Sequence, residues 1–339
     1  MSLYDIHVGK LLNGKRKFDG HGYYMYTTEG ELIERNDLHG STGVVVDAKK
    51  IEDLLFQHCT ETINKFAKTD ENKGVYVFSL YTDVTHGSFI IYINTEEALE
   101  KTANRYYENY KKKLIETNDS FYDRSFEQTK ISLRFSEGDF DFSFEDLPDQ
   151  LNDIMSLYYC INLKELNYSP EQDTIIPKSL MDHQLYFIGI NVIHRLSDNG
   201  CFKNVNTTDD FVAYVSSAES GDYLTYSTLM RKTIGLDTFY RVFPEEKVND
   251  EEFLKIVQRQ KSKSVKEQLE FWLLQIKSNK WRTDNNVISK YCKTDYHAYE
   301  CLVNIGSGLL PYIIEKLNEI DLSEAERYIC EELINDIKS

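Results

Sequence analysis

Two runs of β-branched and aromatic residues that lie close together in the sequence constrain the fold of this chain most. They read GVYVFSLYTD at 74–83 and GSFIIYINTE at 87–96. Such residues fit the half-buried surface of a sheet, and the few residues between the runs, through Thr85, His86 and Gly87, are enough for a turn. The sequence therefore predicts an antiparallel hairpin at this point of the chain.

Helical patterns flank the hairpin on both sides. Before it, apolar residues recur at helical spacing from Asp47 to Ala67. After it, Asn94 or Thr95 is a suitable N-cap for a helix that we expect to continue through Tyr110. The side chains of such caps accept hydrogen bonds from the free backbone N–H groups at a helix start. The hairpin is thus predicted to lie between two helices in the chain.

We expect an α+β fold, in which an antiparallel sheet packs against helices and a small all-helical C-terminal domain follows. The predicted strands are the hairpin at 74–96 and the segments 131–144 and 209–217. The predicted helices that cover the sheet are 95–113, 146–163 and 178–197. The last of these is expected to end at Gly200, because glycine adopts the left-handed C-cap conformation without strain.

The polar stretch PEEKVNDEE at 244–252 is the best candidate for a domain boundary, because linkers are exposed and often charged. From Asp250 onward the pattern is helical throughout. We therefore predict three parts: an N-terminal hairpin extension at 1–45, an α+β domain at 46–247 and a helical domain at 250–339.

The segment 135–149, FSEGDFDFSFEDLPD, alternates phenylalanine with acidic residues, and no lysine or arginine lies between Arg134 and Lys164. On a strand, alternate side chains share a face, so this pattern predicts phenylalanines toward the core and carboxylates toward water. Four interpretations are open: a metal site, a pair of catalytic acids, a solvated strand, or a surface that meets a basic partner. The acids assigned to that partner surface are Glu137, Asp139, Asp141, Glu145, Asp146 and Asp149.

Asp139 and Asp141 form a DxD pair, whose carboxylates could approach one divalent ion if they share a strand face. No motif in the sequence specifies a third or fourth ligand, and we expect neither a metal site nor a cofactor. A run of acids without a nearby cation also suits a shared solvated surface better than a pair of carboxylates tuned for acid–base chemistry. We therefore expect no enzymatic activity.

The formal net charge is −17, and residues 51–165 contribute −10 of it, with 12 basic and 22 acidic residues. Such a field repels nucleic acid and anionic membranes, and it speeds encounter with a basic protein. The basic run RYYENYKKK at 105–113 lies within this acidic third, so we interpret it as a solvated helix end rather than a nucleic-acid groove. The six cysteines form no CxxC pair and no apolar run reaches the length of a membrane helix, so we expect a cytoplasmic protein.

Three sets of residues resemble a known family. VFSLYTD and INTEE at 77–83 and 93–97 resemble its early hairpin and helix cap, and IHRLSDNGCF at 193–202, followed by the strand FVAYVSS at 211–217, resembles its next elements. MRKTIGLDTFYRVFPE at 230–245 resembles its end. The family is an uncharacterised bacterial domain family found in immunity clusters beside polymorphic toxins. The resemblance covers about three fifths of the chain, from about 48 to 247.

The tail at 290–317 is similar to a short helical unit that recurs at the ends of diverse bacterial proteins, including defence-related ones. The resemblance implies a binding role, and it carries over no catalytic residues. We therefore expect a non-enzymatic immunity-type protein that binds and occludes a cognate toxin, a basic protein drawn to the acidic surface. The alternatives are a metal-dependent enzyme that uses Asp139 and Asp141, or a structural adaptor whose C-terminal helices recruit another protein.

Overall fold

The computed structural model describes residues 48–83, 87–155, 184–217, 226–279, 286–291, 293, 295–320 and 322–338. Within these residues the strands are β1 (Val75–Asp83), β2 (Ser88–Thr95), β3 (Phe142–Phe144) and β4 (Thr207–Ser217). The helices around them are α1 (Ala48–Phe66), α2 (Glu96–Thr117), α3 (Phe126–Leu133), α4 (Gln184–Asp198) and α5 (Tyr226–Ile234). The N-terminal extension predicted at 1–45, residues 84–86 of the hairpin turn and residues 156–183 lie outside the described residues.

The strands form one four-stranded sheet in the order β3-β2-β1-β4. The β1–β2 hairpin is antiparallel, as predicted, and β3 adds antiparallel to β2. β4 instead pairs parallel with β1, so the α+β class is confirmed but the sheet is mixed rather than purely antiparallel. A parallel pairing needs a long crossover connection, and here a long chain segment that includes α4 separates the two strands.

One face of the sheet packs against α4, which in turn packs against α1. α1 buries Leu55, Cys59 and Ile63, which recur at the predicted helical spacing. Gly189 of α4 lies so close to β4 that an added Cβ would be 3.3 Å from a methyl group of Val215. This close approach of helix and sheet, together with the buried residues, forms the main core.

An ion pair ties α1 to α4 at the edge of this core. Arg195 of α4 donates hydrogen bonds to the carboxylates of Glu52 and Asp53 in α1, and its guanidinium lies 4.3 Å from the centre of the Phe56 ring. Asn191, one turn earlier on α4, also donates to Glu52, at 3.0 Å. Glu52 is 7% exposed, so these hydrogen bonds compensate for the burial of its charge.

The helix after the hairpin begins as predicted and then continues further. The Thr95 side chain accepts a hydrogen bond from the backbone N–H of Ala98, and the first turn carries Glu96 and Glu97. The helix does not end near Tyr110 but reaches Thr117, two turns later. Its buried residues all lie in its first half and are Ala98, Leu99, Thr102 and Ala103. The second half of α2 is therefore largely surrounded by solvent.

The strand predicted at 131–144 is wrong for most of its length. Ile131 lies in α3, which begins with a capping box between Ser125 and Gln128. Residues Glu137–Asp139 form a turn of 3-10 helix, and only Phe142–Phe144 is extended. The alternating apolar and acidic residues therefore form a 3-10 turn at 137–139, and only at 142–144 do they form a strand.

From Gly235 onward the described chain is helical and forms a second compact unit. Its helices are α6 (Leu236–Val242), α7 (Pro244–Lys261), α8 (Val265–Asn279), α9 (Val287–Lys290), α10 (Asp295–Val303), α11 (Leu310–Leu317) and α12 (Glu324–Lys338). The helices from α7 to α12 share a core around Trp272 and Phe253. The predicted linker at 244–252 is not a loop but the first half of α7, since a proline in the first helical turn favours helix initiation. Among the described residues, the two compact units divide between Ile234 and Gly235.

The four cysteines in the described part of the chain, Cys59, Cys201, Cys301 and Cys330, are free thiols. Burial raises the pKa of the Cys330 thiol to about 11, so it stays protonated at neutral pH. Three of the four are buried, as is common for free cysteines, which pack as small apolar residues. In the residues that the structure describes, no helix combines the length and the apolar composition needed to cross a bilayer.

Candidate functional site

A partly buried carboxylate lies over the second face of the sheet. Ser79 of β1 pairs with Tyr92 on one side and with Tyr214 on the other, so these three side chains form a row across three strands. The turn at 137–139 places Glu137 above this row. The Tyr214 hydroxyl donates a 2.7 Å hydrogen bond to Glu137 Oε1, and the Ser79 hydroxyl donates to the same oxygen at 3.3 Å.

The hydroxyls of Ser79 and Ser216 are 2.8 Å apart and share a hydrogen bond. We call Glu137, Ser79, Tyr214 and Ser216 the Glu137 cluster. The two serines and Tyr214 are at most 1% exposed, so the network is internal to the protein. Burial raises the pKa of Glu137, and the hydrogen bonds from Tyr214, Ser216 and Ser79 oppose that rise. Because these donors are buried, their hydrogen bonds hold the segment that carries Glu137 against the sheet.

Aromatic rings surround the cluster on both sides. The Phe135 ring lies 6.2 Å from the Tyr214 ring, and the Phe140 ring lies 6.2 Å from the Tyr92 ring, both in edge-to-face arrangements. Further along, Phe142 packs edge-on against Phe66 of α1 at 5.2 Å. Phe140 and Phe142 are thus directed toward the protein, as predicted, although their backbone is only partly extended. Phe135 and Phe140 thus pack beside the Glu137 cluster, whereas Phe142, which pairs with Ile93, lies on the opposite face of the sheet.

Asp139 fastens the same segment to α2. The Tyr106 hydroxyl donates a 2.5 Å hydrogen bond to Asp139 Oδ1, and the Ser136 hydroxyl donates to Oδ2 at 2.9 Å. The hydrogen bond to Asp139 raises the pKa of Tyr106. Since both carboxylate oxygens are engaged and Asp139 lies in a 3-10 turn, the shared strand face that the DxD interpretation requires does not form. Among the described residues, no group of three or more His, Cys, Asp or Glu side chains is arranged to hold a metal ion.

The remaining acids of the predicted surface face solvent. We call Asp141, Glu145, Asp146 and Asp149 the acidic rim, and all four are exposed. The nearest cation among the ion pairs of the described residues is Lys101, whose Nζ is 3.8 Å from Asp141 and whose side chain is 81% exposed. The structure therefore divides the six predicted residues: Glu137 and Asp139 turn inward, and the four rim residues turn outward.

Arg134 is a residue of this site that the sequence analysis did not identify. Its guanidinium contacts Glu96 and Asp210 at 2.7 Å each, and it lies 4.3 Å from the centre of the Tyr76 ring. It thereby links α2 and β4 at the base of the acidic segment. The sequence feature that could have indicated Arg134 is its position, since it is the last lysine or arginine before a run of 29 residues without either.

The second half of α2 and the turn after it carry a cluster of aromatic rings and cations. We call residues 105–124 the aromatic arm. The Tyr110 ring lies 5.9 Å from the Tyr122 ring, and the Arg124 guanidinium lies 4.5 Å from the Phe121 ring centre. Ile115 is 85% exposed and Phe121 is 56% exposed. The prediction of a solvated helix end agrees with the exposed lysines at 111–113, and within this exposed region the rings and cations also pack against one another.

A model of a known protein family matches the part of the chain that forms this sheet and this site. A family described as "Domain of unknown function (DUF4303)" matches residues 55–231, slightly more than half of the chain. The matched range contains all four strands of the sheet and the whole Glu137 cluster. No curated protein and no solved structure matches the chain.

Proposed function

This chain belongs to the DUF4303 family, and from that premise we propose that it is a non-enzymatic immunity-type protein of the cytoplasm. In this proposal it binds and occludes a basic protein, a toxin domain, through the acidic rim and the aromatic arm. The family description assigns no activity. The support therefore comes from the sequence resemblance to domains of toxin-immunity clusters and from the physical properties of this surface.

The observation that carries the proposal is the exposed acidic rim on a segment that is fixed to the sheet. The hydrogen bonds of Glu137 and Asp139 anchor the beginning of the segment, and the β3–β2 pairing anchors its middle. A surface that is already ordered loses less conformational entropy when it binds. Among the ion pairs of the described residues, the four rim carboxylates have one weak cation contact, through Lys101, so we expect their field to extend into solvent and to attract a basic partner.

The aromatic arm supplies the apolar contact surface that the acidic rim lacks. Tyrosine, tryptophan and arginine dominate the energetics of protein interfaces, and exposed rings that are already packed lose little entropy on binding. Phe121 and Ile115 are the most exposed apolar side chains of the arm. The hydrogen bond from Tyr106 to Asp139 joins the beginning of the arm to the acidic segment, so we expect a large partner to contact both surfaces.

The test compares two matched double variants. Glu145→Lys with Asp146→Lys reverses two adjacent rim charges, and Asp70→Lys with Glu71→Lys reverses two adjacent exposed charges outside the rim. Tagged wild-type and variant chains are used to capture partners from lysate of the source organism at low and at high salt. We expect one stoichiometric basic partner with the wild type and the control variant at low salt, and at least tenfold less of it with the rim variant.

The captured protein is then expressed in a bacterial host alone and together with the chain. The proposal predicts growth arrest by the partner alone and recovery when the wild-type chain is present. A partner that is harmless, or one captured equally by the rim variant, contradicts the proposal. A partner that the isolated C-terminal unit, from Gly235 onward, retains would instead support the adaptor alternative.

A further inference from the structure

One carboxylate of the acidic rim lies beside an aromatic ring of the sheet. Ser143 of β3 is exposed and pairs with Tyr92 of β2, so these two side chains lie on the same face. The alternation of side chains along β3 brings Glu145, two residues after Ser143, to that face as well. The pKa of Tyr92 agrees with this placement, because burial raises it and the nearby carboxylates of Glu145 and Glu137 raise it further.

The Tyr92 ring is half-buried and held in place by two other rings. The Tyr81 ring meets it edge-on at 5.9 Å, and the Phe140 ring meets it edge-on at 6.2 Å. Its direct neighbour on β3 is the small side chain of Ser143, which leaves the Tyr92 ring accessible from that side. A ring that is already ordered loses little conformational entropy when a partner contacts it.

Glu145 is the rim carboxylate that is available to a cation at this place. It is exposed, and within the part of the chain that the structure describes it takes part in no ion pair. Asp141, by contrast, has the Lys101 ammonium group 3.8 Å away. The exposed carboxylate of Glu145 beside the Tyr92 ring therefore forms a place where negative charge and aromatic surface meet.

This combination suits a guanidinium group better than an ammonium group. The planar guanidinium of arginine donates two parallel hydrogen bonds to a carboxylate and stacks on an aromatic ring with the same side chain. The ammonium of lysine is a strongly hydrated point charge that does not form this paired contact. Arginine and tyrosine are also among the side chains that most often dominate the energetics of protein interfaces.

We propose that Glu145 and Tyr92 hold an arginine side chain of the basic partner. The guanidinium donates two hydrogen bonds to the Glu145 carboxylate and lies against the Tyr92 ring, above Ser143. This inference rests on the proposed function for the existence of the partner, and it adds the side chain by which the rim recognises that partner. It also distinguishes Glu145 from the other rim residues, which attract the partner by charge alone.

The test uses the purified full chain, so it does not depend on capture of the partner. The chain is titrated with N-acetylarginine methylamide and with N-acetylcitrulline methylamide, an uncharged compound of nearly the same shape. The backbone N–H signal of Ser143 in a nitrogen–proton correlation spectrum, identified with the Ser143→Ala variant, reports binding. We expect a saturable shift with the arginine compound and binding of the citrulline compound that is at least about threefold weaker.

Three variants assign this binding to the carboxylate and the ring. Glu145→Gln should weaken binding of the arginine compound about threefold to fivefold, as expected for one exposed ion pair. Tyr92→Leu, which removes the ring, should weaken it by about the same factor, whereas Tyr92→Phe keeps the ring and should bind like the wild type. Glu145 is exposed, so its variant should fold like the wild type.

Glu71→Gln is the matched control, because Glu71 is an exposed acid outside the rim. Equal affinity of the Glu145→Gln and Glu71→Gln variants, equal binding of the two compounds, or the absence of a saturable shift would each overturn the proposal. Failure of the arginine compound together with capture of a basic toxin would overturn the arginine site alone. Binding of the arginine compound without a captured toxin would support the site and contradict the proposed function.

Discussion

The Tyr214 hydroxyl donates a 2.7 Å hydrogen bond to the carboxylate of Glu137, a residue 77 positions earlier in the chain. Tyr214 lies on the parallel strand β4, and Glu137 lies in the turn that precedes the edge strand β3. This contact makes Glu137 an internal anchor of the acidic segment, while the four residues of the acidic rim further along the chain remain exposed. The carboxylate that anchors the segment therefore differs from the four to which we assign partner binding.

The first prediction concerns Glu137 as an anchor. Glu137→Ala leaves the buried hydroxyl of Tyr214 without this acceptor and should lower the free energy of unfolding by about 1–3 kcal/mol. Glu145→Ala, which removes an exposed rim carboxylate, should change it by less than about 0.5 kcal/mol. Urea unfolding at neutral pH measures both. Equal effects of the two variants would mean that Glu137 does not anchor the segment.

The second prediction concerns pH. Burial raises the pKa of Glu137 above its ordinary value of 4.5, so the folded protein holds this proton more tightly than the unfolded chain does. Its stabilising contribution is therefore complete below pH 4.5 and declines as the pH rises through the folded-state pKa. The Glu137→Gln variant lacks the titrating carboxyl at this position and keeps every other titrating group of the wild type. Its free energy of unfolding therefore serves as the reference.

The measured quantity is the free energy of unfolding of the wild type minus that of Glu137→Gln, obtained by urea unfolding at a series of pH values. We expect this difference to fall as the pH rises from below 4.5 to neutral. A difference that rises over the same interval would show that the hydrogen bonds from Tyr214, Ser216 and Ser79 outweigh desolvation and lower the pKa instead.

The third prediction concerns the aromatic arm as an anchor for the partner. Phe121→Ser removes an exposed ring and should leave the fold intact while it speeds dissociation of the captured partner at least tenfold. Ile320→Ser, at a 99% exposed position of the C-terminal unit, is the control and should leave dissociation unchanged. Surface plasmon resonance gives the two rates. The arm plays no part in binding if both variants dissociate like the wild type.

The fourth prediction concerns a buried ion pair of the C-terminal unit. Lys293 contacts Asp250, their side chains are 1% and 4% exposed, and the Tyr240 hydroxyl donates to Asp250 at 2.7 Å. Lys293→Met removes the cation that pairs with the Asp250 carboxylate and should lower the free energy of unfolding by about 3–5 kcal/mol. Lys290→Met, at an exposed lysine three residues earlier, should cost less than about 1 kcal/mol. Thermal or urea unfolding measures the stability of both variants. Similar losses of stability in the two would show that the Lys293–Asp250 ion pair does not stabilise the unit.

Local signals in the sequence were sufficient for much of the fold. The β1–β2 hairpin, the cap at Thr95 and the left-handed residue Gly200 all follow from the chemistry of a few adjacent residues, and the structure contains each of them. The helical pattern beyond Asp250 is likewise confirmed. These features are predictable because neighbouring side chains and backbone groups determine them.

The character of the acidic segment was decided only by the tertiary structure. Its alternation of phenylalanine and acid satisfies the period of a strand, but a 3-10 turn followed by a short strand satisfies it as well. The inward direction of Glu137 and Asp139 depends on Tyr214 and Tyr106, which are 77 and 33 residues away.

The sequence by itself therefore determined the class of the fold, most of its helices and the excess of acid in one third of the chain. The tertiary structure decided that β4 pairs parallel with β1, and it decided which carboxylates anchor the segment and which remain in solvent. The physical reason is that a buried carboxylate is stable only where hydrogen-bond donors meet it. The position of those donors is a property of the folded sheet and not of the residues beside the acid.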